Sequence, residues 1–381
     1  MADRQAAIIG SGLTAFGKAP GQGPLDLMAA AADLALADAG IGRDRIDGLI
    51  TGYATTLPHL MLADLFAEHY GLTLRHAHAA SAGGATGAMM LVLARHLIAA
   101  GAADTILVVA GENRLTGQSR DESIRTLAQV GHPALEVPSG AIVPAYYALL
   151  AARYLHETGA TEADLAALAV LMRTHAQGHP GAHLTTPITV ADVLASRPIA
   201  TPLKLLDCCP ISDGGCAFVV ARDGEGARAV RISGWGEGHT HQHLSAAPAD
   251  PAEGARIAAA RALAVAGRRR DEIGYLGIYD SFTATLALLL EATGFAGRGQ
   301  AGRQAAEGRF GRDGRFPLNL HGGLLSYGHC GVAGSMAMIA EAVGQLRGET
   351  GARQIAPTGT AFVHTDGGVL SAHVSLVLER G

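Results

Sequence analysis

The sequence predicts a layered α/β fold made of two similar halves, with a long insertion in the first. Three observations carry this. A phrase of ten identical positions recurs 227 residues apart, including Ala32, Leu36, Gly40 and Asp44 against Ala259, Leu263, Gly267 and Asp271. A second set, Gly84, Gly87, Met89 and Gly101, returns 247 residues later as Gly331, Gly334, Met336 and Gly348. Strand-like runs alternate with Ala-rich helical runs in both halves, as in buried sheets covered by helices.

Taken in order, Ala6 to Ile9 reads as a first strand. Asp26 to Ala39 has helical spacing and stops at Gly40, a residue suited to a left-handed helix end. Ile46 to Thr51 follows as a strand, and a glycine-started apolar helix runs from Gly84 to Gly101 before the strand Ile106 to Val109. From about Leu115 to Pro202 the chain belongs to neither repeat. Helical pieces at Ala145 to Thr158 and Glu162 to Gln177 are joined by polar loops such as His179 to Thr186, and an excursion of this length covers a site or meets a partner. Cys216 to Val220 returns as a buried strand, and Phe362 to His364 closes the second half. The expected units are residues 1–114 with 203–225, an inserted loop domain at 115–202, and residues 226–381.

Composition excludes several classes of function. With 49% hydrophobic and 17% charged residues the 381-residue chain has enough apolar surface for large cores. The net charge is -5, and the basic residues, nearly all Arg, are scattered rather than striped, which argues against nucleic acid. Cys208, Cys209, Cys216 and Cys330 form neither a disulfide framework nor a zinc pattern, so a reducing compartment and no metal are expected. The start through Asp3 and Arg4 into the first strand has no apolar run fit for a leader or span, and a cytoplasmic protein is expected. His239, His241 and His243 alternate, and alternate strand residues share a face, but a solvent-facing or site-lining loop is expected there rather than a metal site.

Four motifs in order point further. They are Asp207-Cys-Cys-Pro-Ile-Ser-Asp-Gly214, Tyr279-Asp-Ser-Phe282, Asn319-Leu-His-Gly-Gly323 with Ser326-Tyr-Gly-His329, and Gly367-Gly-Val-Leu-Ser371. Together with the duplication, the sequence resembles the thiolase superfamily in its lipid-transfer-protein, sterol-carrier-protein-type branch. The resemblance implies a duplicated five-layer α-β-α-β-α fold, a coenzyme A thioester substrate, at least a homodimer, and complexes with a small OB-fold, zinc-ribbon protein.

The departures from that pattern bear on mechanism. The family opens a buried helix with a nucleophilic cysteine, and Gly84-Ala-Thr-Gly87 fills that frame, so residue 84 offers no nucleophile. The second family cysteine falls near Thr365 or Asp366 and is also absent. By resemblance His329 is a donor to the thioester oxygen, and Tyr279 replaces the family's His or Asn. A phenol near pKa ~10 needs a neighbouring dipole or positive charge to act as a base at neutral pH. Asn319 is a weaker site candidate. Cys330, next to His329, is a candidate for a displaced nucleophile. Each has a plainer reading, as a core tyrosine, a packed turn histidine, a turn former and a small buried hydrophobe. A thioester enolate is common to Claisen and aldol chemistry, and only the former needs the acyl group on cysteine. Retro-aldol cleavage of a β-hydroxyacyl-CoA, as in sterol or bile-acid side-chain breakdown, is therefore the leading expectation. An acyltransferase using Cys330, and a non-catalytic CoA- or lipid-binding scaffold, are the alternatives.

Overall fold

A computed structural model describes residues 5–222 and 228–381. The residues before Gln5 and the expected boundary at 225/226 lie outside the described residues. The first half runs β1 (Ala6–Leu13), α1 (Pro24–Ala39), β2 (Gly48–Gly52), α2 (Leu62–Tyr70), β3 (His76–Ala80), α3 (Thr86–Ala99) and β4 (Thr105–Asn113). The excursion holds α4 (Arg120–Leu127), α5 (Val143–Thr158), α6 (Glu162–Ala176), α7 (Val190–Ala195) and the short strands β5 (Pro198–Ala200) and β6 (Leu203–Lys204). Then follow β7 (Asp213–Arg222), β8 (Val230–His239), α8 (Glu253–Ala266), β9 (Tyr275–Ile278), α9 (Thr283–Ala292), α10 (Ala301–Ala306), α11 (Gly323–Ser326), α12 (Val332–Arg347), β10 (Thr360–Gly367) and β11 (Ala372–Arg380).

The strands join as β3-β2-β4-β7-β1-β8-β11-β10-β9 in one nine-stranded sheet. Its two ends carry the same order: β2-β4-β7-β1 mirrors β9-β10-β11-β8, and the first strands of the halves meet antiparallel at Ala7 with Arg231 and Ile8 with Val230. The repeated phrase is the repeated unit of structure. Gly40 and Gly267 both end their helices in the left-handed conformation (φ 68° and 63°), and a short 3-10 turn leads from each into β2 or β9.

Side chains alternate across the sheet, so each strand serves two cores. On β4, Ile106 and Val108 face an inner core while Leu107 and Val109 face an outer one, and β7 repeats this with Phe218 and Val220 against Ala217 and Val219. The inner core holds α3 and α12, which touch each other and both ends of the sheet. Outside lie α1 and α2 on the first half, and α8 and α9 on the second. The result is helix, sheet, helix, sheet, helix. Glycines set how near the outer helices come. A Cβ on Gly12 would sit 2.1 Å from the Ala31 carbonyl oxygen, and one on Gly236 would sit 2.3 Å from that of Ala258. The α5 and α6 helices of the excursion pack on α9 and so cap the second half. Among the described residues no helix is long and apolar enough to cross a membrane.

Candidate active site

Tyr279 stands immediately after β9, at the end of a strand, where open α/β sheets place ligand sites. Its backbone is fixed from two sides. The Asn319 side chain accepts from the Ile278 amide at 2.9 Å and donates to the Ile278 carbonyl at 2.7 Å, and the Tyr279 amide donates to the His364 carbonyl at 2.9 Å. Asn319 is fully buried with φ 45°, a conformation Asn tolerates better than most residues. Its side chain is thus a clamp on the strand end, one residue away from Tyr279. Asp280 accepts from the Leu324 and Leu325 amides at 2.7 and 3.3 Å, tying the glycine turn to the same strand end. Burial pushes the Asp280 carboxyl up to about 7.

His329 is held by the Cys208–Ser212 segment, donating its amide to Pro210 at 3.0 Å and accepting from Ser212 at 3.1 Å. Its Nδ1 accepts from the Gly331 amide at 3.2 Å, which assigns the ring proton to Nε2. That Nε2 lies 3.0 Å from the Tyr279 hydroxyl. Burial, with the Arg114 charge adding to it, depresses His329 to about 3, so the ring is neutral at physiological pH. The Nε2–H therefore donates to the phenol oxygen, and the phenol proton is left to face the cavity.

The expectation of a lowered Tyr279 pKa is corrected by the structure. A positive neighbour is present in Arg114, but burial outweighs it and holds the phenol well above its ordinary value. Tyr279 is thus protonated at neutral pH.

Residue 84 explains the tyrosine. A Cβ built on Gly84 would lie 2.4 Å from the Tyr279 hydroxyl, 2.7 Å from its ring carbon and 2.3 Å from the Asp366 carbonyl oxygen. The phenol occupies the space that a side chain at the head of α3 would need. Cys330 is not brought to the site. It is fully buried in the inner core, outside the cavity wall, and burial pushes its thiol well up. It packs as a small hydrophobe. Cys209 does reach the cavity, and burial raises its thiol too.

Three groups that the sequence reading did not single out as site residues also meet here. Tyr147 on α5 donates to Asp366 at 2.8 Å and lies 3.1 Å from the Gly368 carbonyl. Burial holds the Asp366 carboxyl well above the usual range, so it carries a proton. Behind it, His373 and His364 form a buried pair at 3.2 Å. Arg114, just past β4, lines the cavity with Glu112. The absent second cysteine pointed toward Asp366. Arg114 and Tyr147 carry no such mark in sequence, being an arginine at the head of a loop and an apolar-face tyrosine on a helix.

The cavity measures ≈ 260 Å³ and adjoins a groove of ≈ 660 Å³ through Tyr53, Thr55, Gly83 and Gly368. Leu127, Val130 and Val143 from the excursion, with Ile211 and Phe282, make its apolar wall. The alternating histidines diverge: His239 pairs with Glu237, His241 with the Val369 carbonyl, and His243 meets the His132 ring edge-on. Among the described residues no group of three or more His, Cys, Asp or Glu is placed to hold a metal.

The family "Thiolase C-terminal domain-like" matches residues 236–380. A 17-hydroxy-3-oxo-4-pregnene-20-carboxyl-CoA lyase of Mycobacterium tuberculosis is 33% identical over 97% of this chain and 100% of its own. An acetyl-CoA acetyltransferase of Methanothermobacter thermautotrophicus is 30% identical over 96% of this chain and 97% of its own. Among solved structures, the Ltp2-ChsH2(DUF35) aldolase superposes with a TM-score of 0.86 at 31% identity, covering 99% of this chain and 98% of that one. The chain belongs to the thiolase superfamily, in the branch that holds the sterol carrier proteins and the side-chain-cleaving aldolases.

Proposed function

We propose that this protein is a carbon–carbon lyase that cleaves a β-hydroxyacyl-CoA by a retro-aldol reaction, with a bulky apolar acyl group of the sterol or bile-acid side-chain type. The observation that carries the proposal is the Tyr279 hydroxyl, 3.0 Å from His329 and filling the place of a side chain at residue 84. A thiolase stores its acyl group at that place. Here the same volume holds an acid–base group.

One phenol suffices for the proton traffic. The minor phenolate form takes the β-hydroxyl proton, and the oxygen becomes a carbonyl as the Cα–Cβ bond breaks. The bond's electron pair passes into the thioester as an enolate, and Tyr279 returns the same proton to Cα. The His329 Nε2–H stabilises the phenolate whenever it forms, and Asn319 holds the strand end that aims Tyr279. The apolar wall from the excursion suits the acyl group, and the adjoining groove suits the remainder of the thioester.

The relatives named as lyase and aldolase support this reading over acyl transfer, as does the burial of Cys330. The solved aldolase named with a DUF35 component supports a second protein as partner; that this partner is of the OB-fold, zinc-ribbon type, and that the chain itself forms a homodimer, belong to the same reading. The test is to incubate the purified protein, with and without such a partner, with β-hydroxyacyl-CoA and β-ketoacyl-CoA esters and identify products by mass. A ketone plus a shortened acyl-CoA from the hydroxy ester is the expected result. A stable acyl adduct on Cys330 would instead establish the transferase reading, and binding without products the scaffold reading.

A further inference from the structure

We infer that Arg114 is the cation that holds the thioester oxygen while negative charge moves onto it. This rests on the retro-aldol reading, and it addresses a gap in the site: the one N–H of the neutral His329 ring is already given to Tyr279, so the enolate oxygen lacks a donor from His329.

Arg114 is nine-tenths buried, and among the described residues its guanidinium makes no hydrogen bond or ion pair; its Nε is buried without a partner. A buried cation without a partner is costly, and a protein retains one where a ligand completes it. The natural partner, Glu112, makes no ion pair with it, although the carboxyl feels its charge and the Oε2 atom is itself buried without a partner. One of its oxygens takes the Thr55 amide and hydroxyl and, at 3.0 Å, the Thr56 amide. Arg114 shares the cavity wall with Gly84, Tyr279 and His329. Its charge reaches both catalytic rings, lowering the value of each. The backbone around it is fixed, because the Leu115 and Thr116 amides donate to Asp213 at 2.7 and 3.2 Å. A positive charge on a fixed backbone, buried in the cavity wall before the reaction begins, is the arrangement that stabilises a developing oxyanion. The same group, placed beside Tyr279, also favours the phenolate that starts the reaction.

A β-ketoacyl-CoA tests this apart from turnover. It loses a Cα proton to buffer, its C–H electron pair becomes an enolate, and the enolate absorbs in the ultraviolet; no free CoA is supplied, so no acyl transfer competes. Wild-type protein is expected to raise the enolate fraction of the bound ester, and Arg114→Gln to lower that fraction about tenfold, as loss of a charge-assisted donor implies. Arg114→Lys, which keeps the cation should the Gln variant not fold, is expected to retain part of the effect. A saturated acyl-CoA should bind all three proteins alike. An equal enolate fraction in wild type and Arg114→Gln overturns the inference. So does an equal loss of affinity for the saturated ester, which would make Arg114 a general CoA contact. Enolate stabilisation that depends on Arg114 without cleavage of any β-hydroxy ester leaves the inference standing and removes the lyase reading.

Discussion

Gly84→Ala is the smallest change that tests how the site is built. The residue does not sit in the left-handed region, so a side chain meets no backbone penalty and only space opposes it. The new Cβ would stand 2.3 Å from the Asp366 carbonyl oxygen, and 2.4 and 2.7 Å from the Tyr279 hydroxyl and ring carbon. The carbonyl belongs to β10 and cannot retreat, and Tyr279 is held by its amide and by His329. Overpacking of this kind costs about 1–3 kcal/mol. Replacing Tyr279 by a shorter side chain, Tyr279→Asn, removes two of the three contacts. Urea unfolding of the wild type, both single variants and the double variant then gives a coupling free energy, expected to be at least about 1 kcal/mol in the favourable sense. Gly84→Cys should behave like the alanine variant and form no acyl adduct while Tyr279 is present. An identical loss for Gly84→Ala in the wild-type and Tyr279→Asn backgrounds would refute the steric argument, because the carbonyl alone would then account for it.

Further outcomes follow from the same geometry. Tyr279→Phe should keep the fold and the affinity for acyl-CoA while lowering kcat, and His329→Ala should cost about 10²-fold or more in rate; steady-state kinetics of both and of the double variant should show the double little worse than the poorer single, whereas full activity in Tyr279→Phe would remove the proton-transfer role. Because the Tyr279 phenol is raised, kcat/KM should climb with pH through neutrality without a plateau, and a flat profile from pH 6 to 9 would contradict a phenolate base. Asp366→Asn should leave the urea midpoint nearly unchanged, since the protonated acid and the amide have the same shape, while Tyr147→Phe should cost about 1 kcal/mol for the lost bond. Stability should fall in mild acid. His175, His179 and His373 lie near 4 and His329 near 3 when folded, against about 6.5 unfolded, so the unfolded chain binds more protons below that value. Each contributes a loss of up to about 1.4 kcal/mol per pH unit on acidification, as do the depressed His321 and His364, and these histidines outnumber the raised carboxyls of Glu112, Asp207, Asp280 and Asp366, whose trend is opposite. Urea midpoints that do not change between pH 7 and 5 would contradict these histidines being buried and neutral.

The fold was legible because it is written twice. Gly40 and Gly267 end matching helices, and the glycine-started helices at 84 and 331 became the two members of the central layer. Periodicity could not say that the halves join edge to edge through Ala7 and Ile8, since a two-residue contact leaves no pattern of its own. The site was legible where a motif carried it. Tyr279 and His329 were read as one unit from residues fifty apart in sequence, and they stand 3.0 Å apart. Asn319 was read as a site residue, and its side chain went to the backbone of Ile278 instead. Arg114 and Tyr147 were missed because what distinguishes them is burial without an obvious partner and a bond across 219 positions, and neither is a property of local sequence.

The two substitutions that set this chain apart are one substitution in physical terms. A tyrosine at 279 cannot coexist with a side chain at 84, because both claim the same few ångströms between α3 and β9. A cysteine at 84 with a smaller residue at 279 keeps an acyl carrier and an open donor site. The tyrosine with glycine trades the carrier for a proton shuttle and uses up the histidine's donor in supporting it. That leaves the thioester oxygen in need of another positive group, and the unpartnered guanidinium of Arg114 in the same wall is the group the site holds in reserve. The loss of the nucleophile, the gain of the phenol and the retention of a buried unpaired arginine thus answer one another, and a reaction that makes an enolate without an acyl-enzyme is the chemistry that uses all three.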